Sequence, residues 1–254
     1  MLPSGVSRAE VLRDAVTLVD SEDPVLRDEV GYGLAVQWLY REQALTPAEL
    51  KSLGDALLAR LAVPPSGGDS VLGRSFSALW LSMAAAAESK KALLDEPTFA
   101  ALLEAGAHEL EAEIDLRGYE PKLGWIHATA HTSDLLKFLA RDPRLTGAQQ
   151  ERIVASVRAR LEKGDTFAWA EDERLAAVLR SLINRADFQP APLEAWLASL
   201  PPRLKALWSA PALDTAEFAR LNATKQVLRA LLVFLPAEHP QAARLLETLD
   251  VLSG

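Results

Sequence analysis

The feature that most constrains this chain is the recurrence of apolar residues at intervals of three and four between sharply marked helix starts. Val11, Leu12, Ala15, Val16 and Val19 form one stripe, Leu50, Leu53, Leu57 and Leu61 a second, and Ile153, Val157 and Leu161 a third. A helix places such positions on one face, and that face must be buried. The starts carry their own signals. Ser7 with Glu10, and Thr46 with Glu49 behind Pro47, have the spacing of a capping box. Thr146 with Gln149 and Asp214 with Glu217 repeat it, and Asp23 and Asp69 are further caps. No segment sustains period-two alternation, so no strand is predicted.

The pattern predicts helices over residues 7–20, 24–43, 47–62, 70–88, 96–112, 124–141, 147–162, 171–186, 192–199, 215–235 and 239–252. Short connections make neighbours antiparallel. Helices starting near 24, 70, 124, 171 and 215 are then the second members of five hairpins. Their starts are spaced by roughly 44 to 54 residues, near the period of HEAT and armadillo repeats. A two-helix repeat cannot bury its apolar face alone, and stacking buries it. The expected fold is all-α: a right-handed solenoid of about five hairpins forming one helical-repeat domain over 1–254, with an α/α toroid as the other closure.

Composition narrows the function classes. With 27 basic against 35 acidic residues, the formal net charge is −8. The chain has no basic run longer than Lys90-Lys91, which argues against nucleic acid and against anionic membrane surfaces as partners. There is no Cys, which excludes disulfides, Cys nucleophiles and thiolate metal sites. Met1-Leu2-Pro3-Ser4-Gly5 lacks the basic and apolar regions of a signal peptide, and the longest apolar stretch, 78–87, is too short to span a bilayer. The expectation is a soluble, cytoplasmic protein.

The second helices carry polar clusters near their starts. These are Arg27, Asp28 and Tyr32; Arg74 and Ser75; His127, His131 and Asp134; Asp172 with Arg174; and Arg220, Asn222 and Lys225. Five clusters at equivalent places in five repeats would meet on one concave patch. Alternatively they are solvated helix ends, where the helix dipole favours acids but not arginines. The most distinctive cluster is His127, His131 and Asp134, which helical geometry places within an arc of about 60°. Two imidazoles and a carboxylate suit a divalent metal, the one cofactor the residues point to, or a general base with its orienting partner. They equally suit histidines hydrogen-bonded at a repeat interface. Before them runs the longest polar connection, from Asp115 and Arg117 through Gly118 and Tyr119 to Trp125. Gly31-Tyr32-Gly33 lacks the third glycine of a dinucleotide fingerprint, and no P-loop or nucleophile elbow is present. Trp38, Trp80, Trp196 and Trp208 sit at helical spacing among Leu and Ala and are expected in the core.

The runs Arg27-Asp28-Glu29-Val30-Gly31-Tyr32, Gly73-Arg74-Ser75-Phe76-Ser77, Asp115-Leu116-Arg117-Gly118-Tyr119, Gly124-Trp125-Ile126-His127-Ala128-Thr129-Ala130-His131 and Glu171-Asp172-Glu173-Arg174-Leu175 resemble a bacterial family of unknown function, DUF2785. The resemblance spans nearly the whole chain and is most specific in the Gly-Trp-x-His-x-x-x-His run. It implies a bacterial source and a helical-repeat fold, and no particular activity.

Three functional readings follow. One is a binding or scaffolding protein whose concave pocket, formed by Arg27, Asp28, Tyr32, Arg74, Ser75, Asp115, Arg117, Trp125 and Arg174, takes a small anionic ligand or a peptide. Another is a hydrolase-like enzyme using His127, His131 and Asp134 as metal ligands or as acid and base, with Asp172 as a further carboxylate. A solenoid that binds a protein partner without any small ligand is a third.

Overall fold

The computed structural model describes residues 4–90 and 92–253. Met1–Pro3, Lys91 and Gly254 lie outside the described residues, and with them most of the N-terminal segment read for a signal and one of the two lysines of the basic pair. Among the described residues the regular elements are helices apart from one two-stranded ladder. The elements are α1 (Arg8–Ala15), α2 (25–41), α3 (Pro47–Leu61), α4 (Val71–Glu88), α5 (Glu96–Ala112), β1 (Tyr119–Glu120), β2 (Gly124–Trp125), α6 (Ala128–Leu139), α7 (Gly147–Leu161), α8 (Glu171–Ile183), α9 (Ala191–Ser209), α10 (Thr215–Val233) and α11 (Pro240–Ser253). Helix α2 is wide-turned, with π-helical Val25–Tyr32 and Val36–Arg41 flanking Gly33–Ala35.

The caps work as their spacing predicts. Ser7, Thr46 and Thr146 each accept from the backbone three residues on, and Glu10, Glu49 and Gln149 each return a bond. Asp214 accepts from the Ala216 and Glu217 amides. The Glu217 carboxylate instead receives the Arg203 guanidinium at 2.6 Å.

Two boundaries differ from expectation. Residues 124 and 125 do not open a helix; they pair with 119 and 120 as an antiparallel ladder, Tyr119 opposite Trp125. A ladder this short leaves no alternation to read in the sequence. Helix α9 runs past 199 through Pro201 and Pro202 to Ser209. Each interior proline costs about 3 kcal/mol, but Trp196, Leu197 and Leu200 before them and Leu207 beyond are buried, so continuing the helix keeps both ends in the core. Trp80 and Trp196 are core residues as expected, whereas Trp208 is 62% exposed.

The chain forms two compact units, Met1–Arg144 and Leu145–Gly254. In the second, α8 packs on α10, and α11 packs on α9 and α10. Leu175, Leu179, Leu193, Leu200, Val227 and Leu245 are fully buried there. Among the described residues, no helix is long and apolar enough to cross a membrane.

The first unit is organised around α4, all of whose 18 residues are buried. It packs most heavily on α6 and also on α3. A helix buried all round is normally apolar all round; α4 carries Arg74, Ser75 and Glu88 and must satisfy them internally. Glu88 accepts from the Leu93 and Leu94 amides at 2.7 and 3.0 Å and from Arg144. Arg74 reaches α5 and its end: its Nε and Nη2 donate to one Glu113 oxygen at 2.9 and 2.6 Å, with Glu109 at 3.4 Å. Two carboxyls thus share one buried guanidinium. Burial, reinforced by the Glu113 carboxylate and only partly offset by Arg74, pushes the Glu109 carboxyl up to about 8.

That raised value ties stability to pH. The native state holds the Glu109 proton that the unfolded chain, titrating near 4.5, releases. The stabilisation is fully present below about pH 4.5 and is lost as pH rises through about 8. At about 1.4 kcal/mol per pH unit this amounts to a few kcal/mol. We expect Glu109→Gln, which keeps the shape and the neutral charge, to flatten the fall in stability across that window. Denaturant unfolding of both proteins at several pH values checks it, and parallel profiles would show that Glu109 does not carry the proton.

Candidate functional site

Three of the five polar clusters come together in the first unit, around the connection from Glu113 to His127. The connection is fastened at each end of its length. Glu113 Oε1 accepts from the Ile114 and Asp115 amides at 2.7 and 2.8 Å. The Ile126 and His127 amides bond back to the carbonyls of Gly118 and Arg117 at 2.7 and 3.0 Å. Leu123, in the turn between β1 and β2, packs against the cluster of Val71, Leu72, Ile126 and Ala128.

Arg27 and Arg117 hold this connection from two sides. Arg27 is fully buried. Its Nε donates to Asp28 at 2.8 Å, Nη1 to the Ser21 carbonyl at 2.9 Å, and Nη2 to the carbonyls of Leu123 and Trp125, the latter at 3.1 Å. Its guanidinium lies over the Phe76 ring of α4 at 4.4 Å. Arg117 pairs with Asp115 through Nε and Nη2, the shortest contact 2.7 Å, and crosses to Asp69 at 3.2 Å and the Gly68 carbonyl at 2.9 Å. The Asp115 hydrogen bonds, ahead of opposing burial, raise the Arg117 pKa still further above its ordinary value. Burial pushes the Asp28 carboxyl above its usual range despite the neighbouring Arg27.

These contacts revise the expected arginine-lined pocket. Arg27 and Arg74 are not surface donors waiting for an anion: their guanidinium groups are buried and bonded to the chain's own carbonyls and carboxylates. Arg117 and Asp115 pair with each other, as a turn-holding ion pair does. An arginine inside a protein must find such partners or incur a desolvation cost of several kcal/mol. That is why it occurs at helix starts where the dipole disfavours it. Tyr32 is half-buried, its hydroxyl 3.8 Å from the Met83 sulfur.

The histidines lie where the predicted helix gives way to the turn. His127 sits just before α6 with φ 49° and ψ 38°, left-handed values that a side chain rarely adopts. His131 is one turn inside the helix, and its Nδ1 lies 2.7 Å from Ser75 Oγ. The same hydroxyl donates its single proton to the Ile126 carbonyl, so the proton in the second bond comes from His131. Its ring therefore carries hydrogen on Nδ1 and, when neutral, the lone pair on Nε2. Ser75, fully buried and bonded in this way, is a brace between α4 and α6 rather than a ligand contact. Asp134 is ion-paired with Lys137. Among the described residues, no group of three His, Asp or Glu side chains is placed to hold a metal ion. The expected ligand set His127, His131 and Asp134 therefore does not assemble as one, because Asp134 turns to Lys137 and His131 Nδ1 to Ser75.

What the site does assemble is a run of rings from surface to core. Tyr119 and Trp125 meet edge to face at 5.4 Å. Trp125 stacks on His127 at 5.0 Å, His127 meets His131 at 5.8 Å, and His131 meets Phe76 at 5.0 Å. Tyr119 and Trp125 are 46% and 43% exposed, while His127 and His131 are 9% exposed. Tyr119 and Phe76 were not singled out as site residues from the sequence. The ladder pairing that sets Tyr119 beside Trp125 has no local signature. Asp172 and Arg174 belong to the second unit, on the first turn of α8; Asp172 lines a shallow cavity there with Gln226, Arg229 and Phe234.

The structure is thus of an all-helical class apart from the short ladder at 119–125, and its first unit is braced by buried charge. The chain belongs to the DUF2785 family, described as a protein of unknown function, whose model matches residues 41–233. No curated protein and no solved structure matches it.

The bracing is testable. Gly124 has φ +69°, and a Cβ there would stand 2.9 Å from the Pro24 Cβ. Gly124→Ala is expected to cost about 1–3 kcal/mol, and Arg27→Ala roughly 3–5 kcal/mol, by chemical denaturation. An Arg27→Ala protein as stable as the parent would remove the bracing role.

Proposed function

We propose that this chain is a binding protein, and that the exposed ring pair Tyr119 and Trp125 is its recognition platform for a cationic segment of a peptide or protein partner. The observation that carries the reading is that Arg27 and Arg74 are buried as braces and Arg117 is engaged by Asp115, Asp69 and Glu120, while two aromatic rings face outward. Aromatic faces attract ammonium and guanidinium groups. The neighbouring acids are themselves paired, Asp28 with Arg27 at 2.8 Å and Glu120 with Arg117 at 3.2 Å, so the rings and not free carboxylates carry the attraction. The formal net charge of −8 would steer a basic partner in. A basic peptide thus replaces the anionic ligand as the favoured occupant, because the arginines that favoured an anion are internally paired.

The wider reading keeps the hairpins as one HEAT-type, right-handed solenoid domain over 1–254, an inference that rests on repeat spacing. It also keeps a soluble bacterial protein of the cytoplasm with no nucleic-acid or membrane partner, from charge balance and the lack of basic runs.

The test is fluorescence anisotropy with a labelled hexa-arginine peptide, with hexaglutamate as control. The parent is expected to bind the cationic peptide and not the acidic one. Trp125→Ala is expected to weaken binding about 3- to 30-fold, the range of a cation–π contact of about 0.5–2 kcal/mol, with unchanged circular dichroism. Equal binding by parent and Trp125→Ala would reject the platform.

A further inference from the structure

The second unit holds a cavity that the platform does not involve. It lies where α9, α10 and α11 converge and has a volume of about 170 Å³. Its floor is apolar, from Leu207, Leu221 and Leu252, all buried. Its wall is aromatic. Trp208 and Phe218 meet edge to face at 6.2 Å, and both are well exposed, at 62% and 43%. The cavity also has a polar side. Phe218, Leu221, Asn222 and Lys225 follow one another at helical spacing on a single face of α10, so Asn222 and Lys225 line the same space as the Phe218 ring and can bring their amide and ammonium to it.

None of the lining residues is acidic. Lys225 is half-buried and has no ion-pair partner among the described residues, in a chain where acids outnumber bases. Ser253, also lining the cavity, receives the Arg229 guanidinium at 3.2 Å, which brings a second cation to the rim. An apolar cleft with a few convergent polar groups is the usual form of a small-molecule site, and here the polar groups are donors only at the charged positions. The volume limits the occupant. A dry cavity of about 150 Å³ accommodates benzene, so this one takes about one aromatic ring with a short polar tail.

We propose that this cavity binds a small aromatic monocarboxylate. Its ring lies between Trp208 and the leucine floor, and its carboxylate meets Lys225 and the Asn222 amide. The two aromatic side chains supply ring contacts of the offset or edge type. The ammonium supplies a charge-assisted hydrogen bond in a cleft where water is partly displaced. The sequence foreshadowed the place but not its use. Asn222 and Lys225 belong to the last of the five polar clusters, and Trp208 was assigned to the core.

Phenylacetate is the probe, with 2-phenylethanol and 2-phenylethylamine as its neutral and cationic counterparts. Each is titrated into the full chain, and the Trp208 indole N–H resonance, identified by its loss in Trp208→Phe, is followed by NMR. Phenylacetate is expected to shift that resonance saturably and to bind at least about tenfold more tightly than the alcohol or the amine. Lys225→Met should abolish the preference for phenylacetate over the alcohol while leaving the alcohol's affinity unchanged. Lys225→Gln, a polar replacement at the same half-exposed position, should do the same, and circular dichroism verifies that both variants are folded. No saturable shift, no preference for the carboxylate, or a preference that survives both substitutions would overturn the proposal.

Discussion

The buried guanidinium of Arg27 sets the geometry on which the rest of the first unit depends. A cation with no exposed surface must be surrounded by acceptors and by polarizable faces, and these come from parts of the chain that sequence alone keeps apart. The Ser21 turn, Asp28 at the start of α2, the carbonyls of Leu123 and Trp125, and the Phe76 ring on α4 all meet at one side chain. Arg74 does the same between α4 and α5, and Glu88 and Arg144 between the end of α4 and the connections around it. The unit is therefore an apolar helix stack whose irregular segments are positioned by charge. Removing one partner of such a contact leaves the other buried and unpaired, which makes each brace costly to break even where its net contribution to stability is small.

The helices were legible because their signals are local. The capping spacings of Ser7, Thr46 and Thr146 and the three–four stripes lie within a few residues of each other, and the structure places helices where they predict them. The family resemblance read from the Gly-Trp-x-His-x-x-x-His run is matched by the family model. The hairpin at 119–125 and the passage of α9 through two prolines were not legible, because both are decided by contacts distant in sequence. Gly124 abuts Pro24, and Leu207 is buried beyond the prolines.

The candidate site shows the same division. Repeat spacing led to the expectation that five polar clusters meet on one patch; those near 27, 74 and 127 meet around the connection from Glu113 to His127. What they do to one another was not readable from that spacing. Spacing of four and three put His127, His131 and Asp134 on one helical face, but the left-handed backbone at His127 takes it out of the helix and Lys137 takes up Asp134. Arginines that look like ligand donors in a sequence are indistinguishable from arginines that cap carbonyls; only the acceptors, Leu123 and Trp125 nearly a hundred positions away, separate the two.

The carboxyl of Glu109 gives the molecule a property unlike any of its surface chemistry. At neutral pH the unfolded chain carries this group ionised, whereas the folded core holds it protonated beside Glu113 and Arg74. Folding is then coupled to the capture of a proton from the surrounding water. The heat measured on unfolding in a calorimeter accordingly includes the ionisation heat of whatever buffer takes that proton back, and it differs between a phosphate and an amine buffer at the same pH even though the protein's own contacts are identical in both.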